Sequence, residues 1–175
     1  FVPSRGLGDV YKRQIGESAA KLAISKLNPK KIESNKMGIV FDKRIAQNLL
    51  STFASAISSN TISKGTTFLK DCLDKKIFND QINIIDKANI KKANGSRYFD
   101  SEGVRIEDLQ LVKNGILNDY LVETYSGKKI NRKSNGRSSG TTNLYFENGD
   151  QSFDQLINSE KKLLYIKETI GRGAN

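Results

Sequence analysis

The hydrophobic positions of this chain follow a helical period through its first half and a two-residue period through much of its second. Residues 16–28 place Ala20, Ala23, Ile24 and Leu27 on one helical face, and Pro29 follows as a stop signal. The apolar run 37–41 has the length of a short buried strand. Asp42 stands where an N-cap belongs and opens the clearest helix of the sequence. Ile45, Ala46, Leu49, Leu50, Phe53 and Ile57 form its apolar stripe, and the helix is expected to fade into Ser58-Ser59-Asn60. A shorter helix is predicted over 67–73, with Phe68, Leu69 and Cys72 facing inward. Ile82, Ile84 and Ile85 suggest a strand, and 87–98 reads as a polar loop.

From Val104 onward the period becomes two. Leu109 and Leu111, then Ile116, Leu117 and Leu121, flank Asn114-Gly115, a dipeptide that supplies the positive φ angles of a tight turn. Segments 104–113 and 116–125 are therefore predicted to form a β-hairpin. Residues 126–140 read as a polar, mobile loop carrying Lys128, Lys129, Arg132, Lys133 and Arg137 and no acid. A strand is expected at 142–147, a capping box from Ser152 and Gln155 ahead of Leu156 and Ile157, and a last strand at 163–170. Strands and helices alternate irregularly, and no repeat is evident. The expected fold class is α+β, mainly an antiparallel β-sheet with packed helices, rather than a doubly wound parallel sheet.

Composition narrows the chemistry. The 175 residues are 37% hydrophobic and 27% charged, which suits one domain or part of a larger one. No apolar stretch is long enough to span a membrane. A single cysteine rules out an intrachain disulfide framework and fits a reducing, cytoplasmic compartment. The net charge of +10 invites a nucleic-acid reading. Lysine far outnumbers arginine, however, and the planar guanidinium is what reads phosphates and guanines by two-point contacts, so a solvated basic surface is the favoured interpretation.

Residues 1–14, FVPSRGLGDVYKRQ, have no sustained period and lack the Asn/Ile/Lys bias of the rest. The string resembles translated adapter sequence found at the ends of unrelated predicted proteins. It is set aside as an artefactual or disordered leader, which leaves 15–175 for fold reasoning. The far end runs from a strand-like stretch into a glycine turn, so the chain reads as an internal fragment.

With no histidine and one thiol, zinc hydrolysis and a Cys-His nucleophile both lack their side chains. Cys72 is expected to be a small core hydrophobe. Two carboxylate pairs, Asp100 with Glu102 and Glu107 with Asp108, are more in keeping with capping a turn or solvating an edge than with holding a cation. The string 134–140, SNGRSSG, offers amides for an anion but lacks the Gly-Lys-Ser/Thr ending of a P-loop.

The order of segments carries a resemblance. GESAAKLAISKLNPKKIESNKMGIVFD (16–42), SAISSNTISKGTTFLKDCLDKKIF (55–78), FDSEGVRI (99–106), LVKNGILNDYLVETYSGKKI (111–130), GTTNLYFENGD (140–150) and IKETIGRGAN (166–175) are similar to the TldD/PmbA family. The likeness runs from about residue 15 to the end and corresponds to part of the family's C-terminal domain. It implies a metallopeptidase component of a family first named as modulators of DNA gyrase. In that family a TldD-type subunit carries a zinc-binding HExxxH motif on the helix that here follows Asp42, and the PmbA (TldE) type lacks it. The positions matching the motif are Ser51, Thr52 and Ala56, none able to serve as zinc ligand or base. The resemblance therefore implies a PmbA/TldE-type subunit with no metal or catalytic residue of its own. Zinc is expected in a TldD-type partner, with unfolded or precursor peptides as substrates. Strand addition at the sheet edge near 104–125 is the expected route for a peptide. The competing reading is a basic gyrase-modulating or nucleic-acid-associated factor without protease activity.

Overall fold

The computed structural model describes residues 5–169. The chain divides into two compact units, Phe1–Lys36 and Met37–Asn175. The first holds α1 (Arg5–Ser25). The expected boundary after residue 14 falls inside this helix, which starts well before the predicted 16–28 and stops short of Pro29. Ile24 and Leu27, predicted to share one helical face, are 66% and 67% exposed.

The second unit begins with β1 (Gly38–Phe41), which pairs in parallel with β6 (Leu163–Ile166). The apolar run 37–41 forms the expected strand but not a buried one: Ile39 and Phe41, on one face of it, are 52% and 41% exposed. Asp42 caps α2 (Lys43–Ala56) by accepting from the Arg44 amide at 3.0 Å. The Tyr165 hydroxyl also donates to Asp42 at 2.6 Å, and these bonds hold the Asp42 carboxyl below its ordinary pKa. The cap thus ties helix start and strand pair together.

Helix α2 ends at Ala56, just ahead of the predicted fade into Ser58-Ser59-Asn60. Its chain turns there, and the Ser58 hydroxyl caps a second helix, α3 (Ser59–Lys64), which ends on Gly65 in the left-handed region. No helix follows at 67–73. The Leu69 and Lys70 carbonyls accept from the Tyr120 hydroxyl at 3.0 and 2.5 Å, the Cys72 amide bonds back only three residues, and Phe68 points outward at 87% exposure. Leu69 is buried as expected, and Cys72 lies partly buried at the core margin.

A four-stranded antiparallel sheet has the order β4-β3-β2-β5, with β2 (Ile84–Lys87), β3 (Leu109–Lys113), β4 (Ile116–Leu117) and β5 (Asn143–Phe146). The hairpin forms at Asn114-Gly115, whose φ angles are 50° and 75°, with Val112 opposite Leu117. Its arms are shorter than predicted. Residues 104–106 pair instead with 98–100, and the Ile106 amide donates to Tyr98. Beyond Asn118, whose amide still donates to Leu111 of β3, the chain leaves for the α2–α3 corner, where the Leu121 amide donates to Ile57 and the Ser59 amide to Leu121. The Glu123 carboxylate then takes the Tyr125 and Ser126 amides and starts α4 (Thr124–Lys129), so no strand continues to 125. Downstream, α5 (Phe153–Ile157) carries the predicted capping box.

The core joins Leu50 and Ile57 of α2, Ile62 of α3, Ile84, Leu111, Val112 and Leu117 of the sheet, and Tyr120–Val122. Each fully buried aliphatic side chain contributes about 1.5–3 kcal/mol, so this contiguous cluster is what holds α2 and α3 against the sheet. The α+β class and its antiparallel sheet with packed helices are as predicted, with the parallel β1–β6 pair added.

Candidate functional site

Three features bear on function: the face of α2, the basic segment after α4, and the edge of the sheet. On α2, Ser51 and Thr52 are exposed, and their hydroxyls donate to the Gln47 and Asn48 carbonyls of the same helix, each at 3.0 Å. Ser55 does the same to Ser51 at 3.0 Å. Ala56 is partly buried against the core. Five residues of regular α-helix rotate by about 140°, so Ser51 and Ala56 occupy different sides of α2.

The segment 130–142 is pinned rather than mobile. Arg137 and Asp86 are both fully buried, with Nε donating to the Asp86 carboxylate at 2.7 Å. Asp86 also accepts from the Thr142 amide and hydroxyl at 2.8 and 2.9 Å. Asn135 binds Val122 and Tyr120, and Arg132 pairs with Asp119 at 2.7 Å. Amides of 134–140 serve the protein's own acceptors: Ser138 donates to Asp100 at 3.1 Å, Asn135 to the Val122 carbonyl and Gly136 to the Ser134 hydroxyl. Asp100 further accepts from the Glu102 and Val104 amides, each at 2.9 Å. Burial works against its charge, but these bonds outweigh burial and keep its pKa low. Glu102 accepts from Thr124, and Asp108 from the Ala88 amide. Asp100, Glu102 and Asp108 are thus turn and loop fasteners, Glu107 pairs with Arg105 on the surface at 3.4 Å, and the structure brings neither pair together as a cation site. Among the described residues no cluster of three or more His, Cys, Asp or Glu side chains is placed to hold a metal.

The sheet edge predicted near 104–125 is occupied. Residues 74–78 run beside β4, with the Asp74 amide donating to Leu117 and the Leu117 amide to Lys75. The other edge, β5, has no further strand paired to it among the described residues. The Glu147 amide donates to Asn83, so in this register Asn143 and Tyr145 turn their backbone groups toward β2, and Leu144 and Phe146 turn theirs away. No hydrogen bond among the described residues reaches those outward groups.

A family model described as the PmbA/TldA metallopeptidase C-terminal domain matches residues 34–175, a span that begins beside the boundary between the two units. The chain belongs to the PmbA/TldD family. A metalloprotease PmbA homolog of Buchnera aphidicola is 35% identical over 177 residues, covering 100% of this chain and 40% of the relative. The chain therefore spans well under half the length of the curated relatives it matches. A solved structure from Bacteroides thetaiotaomicron, described as a candidate modulator of DNA gyrase, has a TM-score of 0.82 at 33% identity, covering 89% of this chain and 35% of that one. TldE from Thermococcus kodakarensis shares the fold with a TM-score of 0.67 at 23% identity, covering 86% and 38%.

Membership of a metallopeptidase family raises the question of whether α2 fits a metal. The donor set does not: two hydroxyls already bonded to their own helix and a methyl group offer no imidazole, thiolate or carboxylate. No step through a metal follows from this PmbA/TldD-family chain alone. The feature that sequence reasoning missed is Asp86. Its signal was present, since Ile82, Ile84 and Asp86 alternate and place an acid in the inward register of β2. No helix among the described residues is long and apolar enough to cross a membrane.

Proposed function

We propose that this chain supplies the C-terminal domain of a PmbA/TldE-type subunit. Such a subunit would be non-catalytic alone and would complete a peptidase assembly whose zinc sits in a TldD-type partner. What supports the reading is the α2 face: the positions expected to match the family's metal motif, Ser51, Thr52 and Ala56, carry two hydroxyls bonded to their own helix and a methyl group. The substrates would be unfolded or precursor peptides, and the β5 edge is the place for one to add as an extended strand. The test is co-purification of the full-length protein with a histidine-containing TldD-type partner, followed by peptidase assays of each alone and together. Activity in the pair only, abolished by a chelator, is the expected result. Stoichiometric zinc on the protein without its partner would overturn it.

A gyrase-associated or nucleic-acid role is the second reading, favoured by the net charge of +10 and by relatives described as candidate gyrase modulators. The burial of Arg137 against Asp86 weighs against it, because it removes that guanidinium from the basic segment's free charge. Duplex DNA binding with a steep salt dependence would favour this second role.

A further inference from the structure

Between α3, the turn at 69–73 and the end of α4 lies a pocket of about 660 Å³ that no part of the α2 or β5 argument uses. Its volume falls in the range of small-ligand sites. We infer that this pocket takes the C-terminal residue of a peptide, holding a free α-carboxylate on its cations and an aliphatic side chain on its apolar wall. The inference rests on the peptide-handling reading above and goes beyond it in naming the part of the peptide that is recognised.

The floor is rigid. Tyr120 is 4% exposed, and its hydroxyl is spent on the Leu69 and Lys70 carbonyls. Burial first of all raises the Tyr120 pKa, so the phenol remains a donor and adds no negative charge. Arg132 is held in place beside it, with its guanidinium 5.9 Å from the Tyr120 ring centre and one nitrogen on Asp119. The pairing uses Nη2, and no other hydrogen bond of the Arg132 guanidinium is formed among the described residues. A guanidinium anchored on one side is preorganised to receive a carboxylate on another.

Lys70 and Lys129 line the same pocket. Both lie near helix ends, where lysines commonly bond the last carbonyls. Here those carbonyls are already taken: the Gly65 amide serves Thr61 and Ile62, and the Ile130 and Arg132 amides serve Ser126 and Gly127. Neither ammonium forms a hydrogen bond or carboxylate pair among the described residues; Lys129 lies 4.3 Å over the Tyr125 ring and faces the charge of Glu123 across α4. Ile62, Leu73 and Ile130 supply the apolar wall, and Asp71 is the one carboxylate on the lining. An acid beside three cations suits a ligand that brings both a carboxylate and an N–H donor, as a peptide end does, better than a multiply charged phosphate.

The test is calorimetric titration of the 175-residue chain with four probes. They are acetyl-Gly-Gly-Leu as the free acid, the same peptide as its C-terminal amide, amidated acetyl-Gly-Glu-Leu, and inorganic phosphate. The free acid should bind at least about tenfold more tightly than either amide and than phosphate, and K70Q/K129Q should remove about tenfold of that affinity. Both lysines are exposed, so this variant should keep the parent's thermal unfolding. Equal binding of acid and amide, equal binding of the glutamate-bearing amide, stronger binding of phosphate, or an unaffected double variant would each overturn the inference. The paired peptidase assay keeps the two proposals apart. Activity in the pair with equal binding of acid and amide removes the pocket and leaves the subunit reading. Selective binding of the free acid without activity in the pair supports the pocket and removes that reading.

Discussion

Asp86 and Arg137 form the most consequential pair of side chains in the molecule. Both have 0% side-chain exposure, and they join β2 to a segment that the sequence alone suggests is loose. Removing one partner leaves the other charge buried, so R137M is expected to lose about 3–5 kcal/mol in urea unfolding at neutral pH. The double variant D86N/R137M should lie closer to the parent than R137M does, because the stranded carboxylate is then gone. Asp100 and Glu123 define the acid limit. Burial opposes the charge of each, yet the bonds from Ser138, Val104 and Glu102 to Asp100, and from Ser126 and Tyr125 to Glu123, leave both below their ordinary pKa values. A depressed folded-state value gives stability that is complete above the unfolded-state pKa and lost as pH falls through the folded one. Unfolding midpoints should therefore hold steady above about pH 5 and drop below about pH 4. D100N should flatten part of that acid slope.

The hairpin turn and α2 make two further claims testable at the level of elements. Gly115 has a φ of 75°, and a Cβ there would run into the Phe78 and Asn79 carbonyl oxygens. G115A should cost more than about 1 kcal/mol and broaden the β3–β4 amide signals in NMR spectra. Helix α2 is regular along its length, and Ser51 and Ala56 lie on different sides of it. Installing an HExxxH motif at the positions expected for it, as S51H/T52E/A56H, should therefore fail to create a tight zinc site in this chain, as read by a competitive zinc-chelator assay. Tight stoichiometric zinc in that variant would show that α2 can rewind locally to bring the two imidazoles together.

The two units, Phe1–Lys36 and Met37–Asn175, are joined by an exposed stretch without regular structure that contains Lys30 and Lys31. Brief trypsin digestion should cut there first and leave a fragment starting near Met37 with the thermal transition of the whole chain. The sequence by itself determined the features that depend on a few neighbouring residues. These are the Asp42 cap, the apolar stripe of α2 apart from Leu49, which is 46% exposed, the Asn114-Gly115 turn, the Ser152–Gln155 capping box, and the residue types at 51, 52 and 56. Only the tertiary structure decided which edge of the sheet is occupied, why 67–73 is not a helix, and that the basic segment is fastened down. Each of those turns on partners far apart in the chain: Tyr120 reaches back 51 residues to Leu69, and Arg137 reaches back 51 to Asp86. Local periodicity carries no record of such distant groups, because a buried polar atom is satisfied by whatever the fold brings beside it.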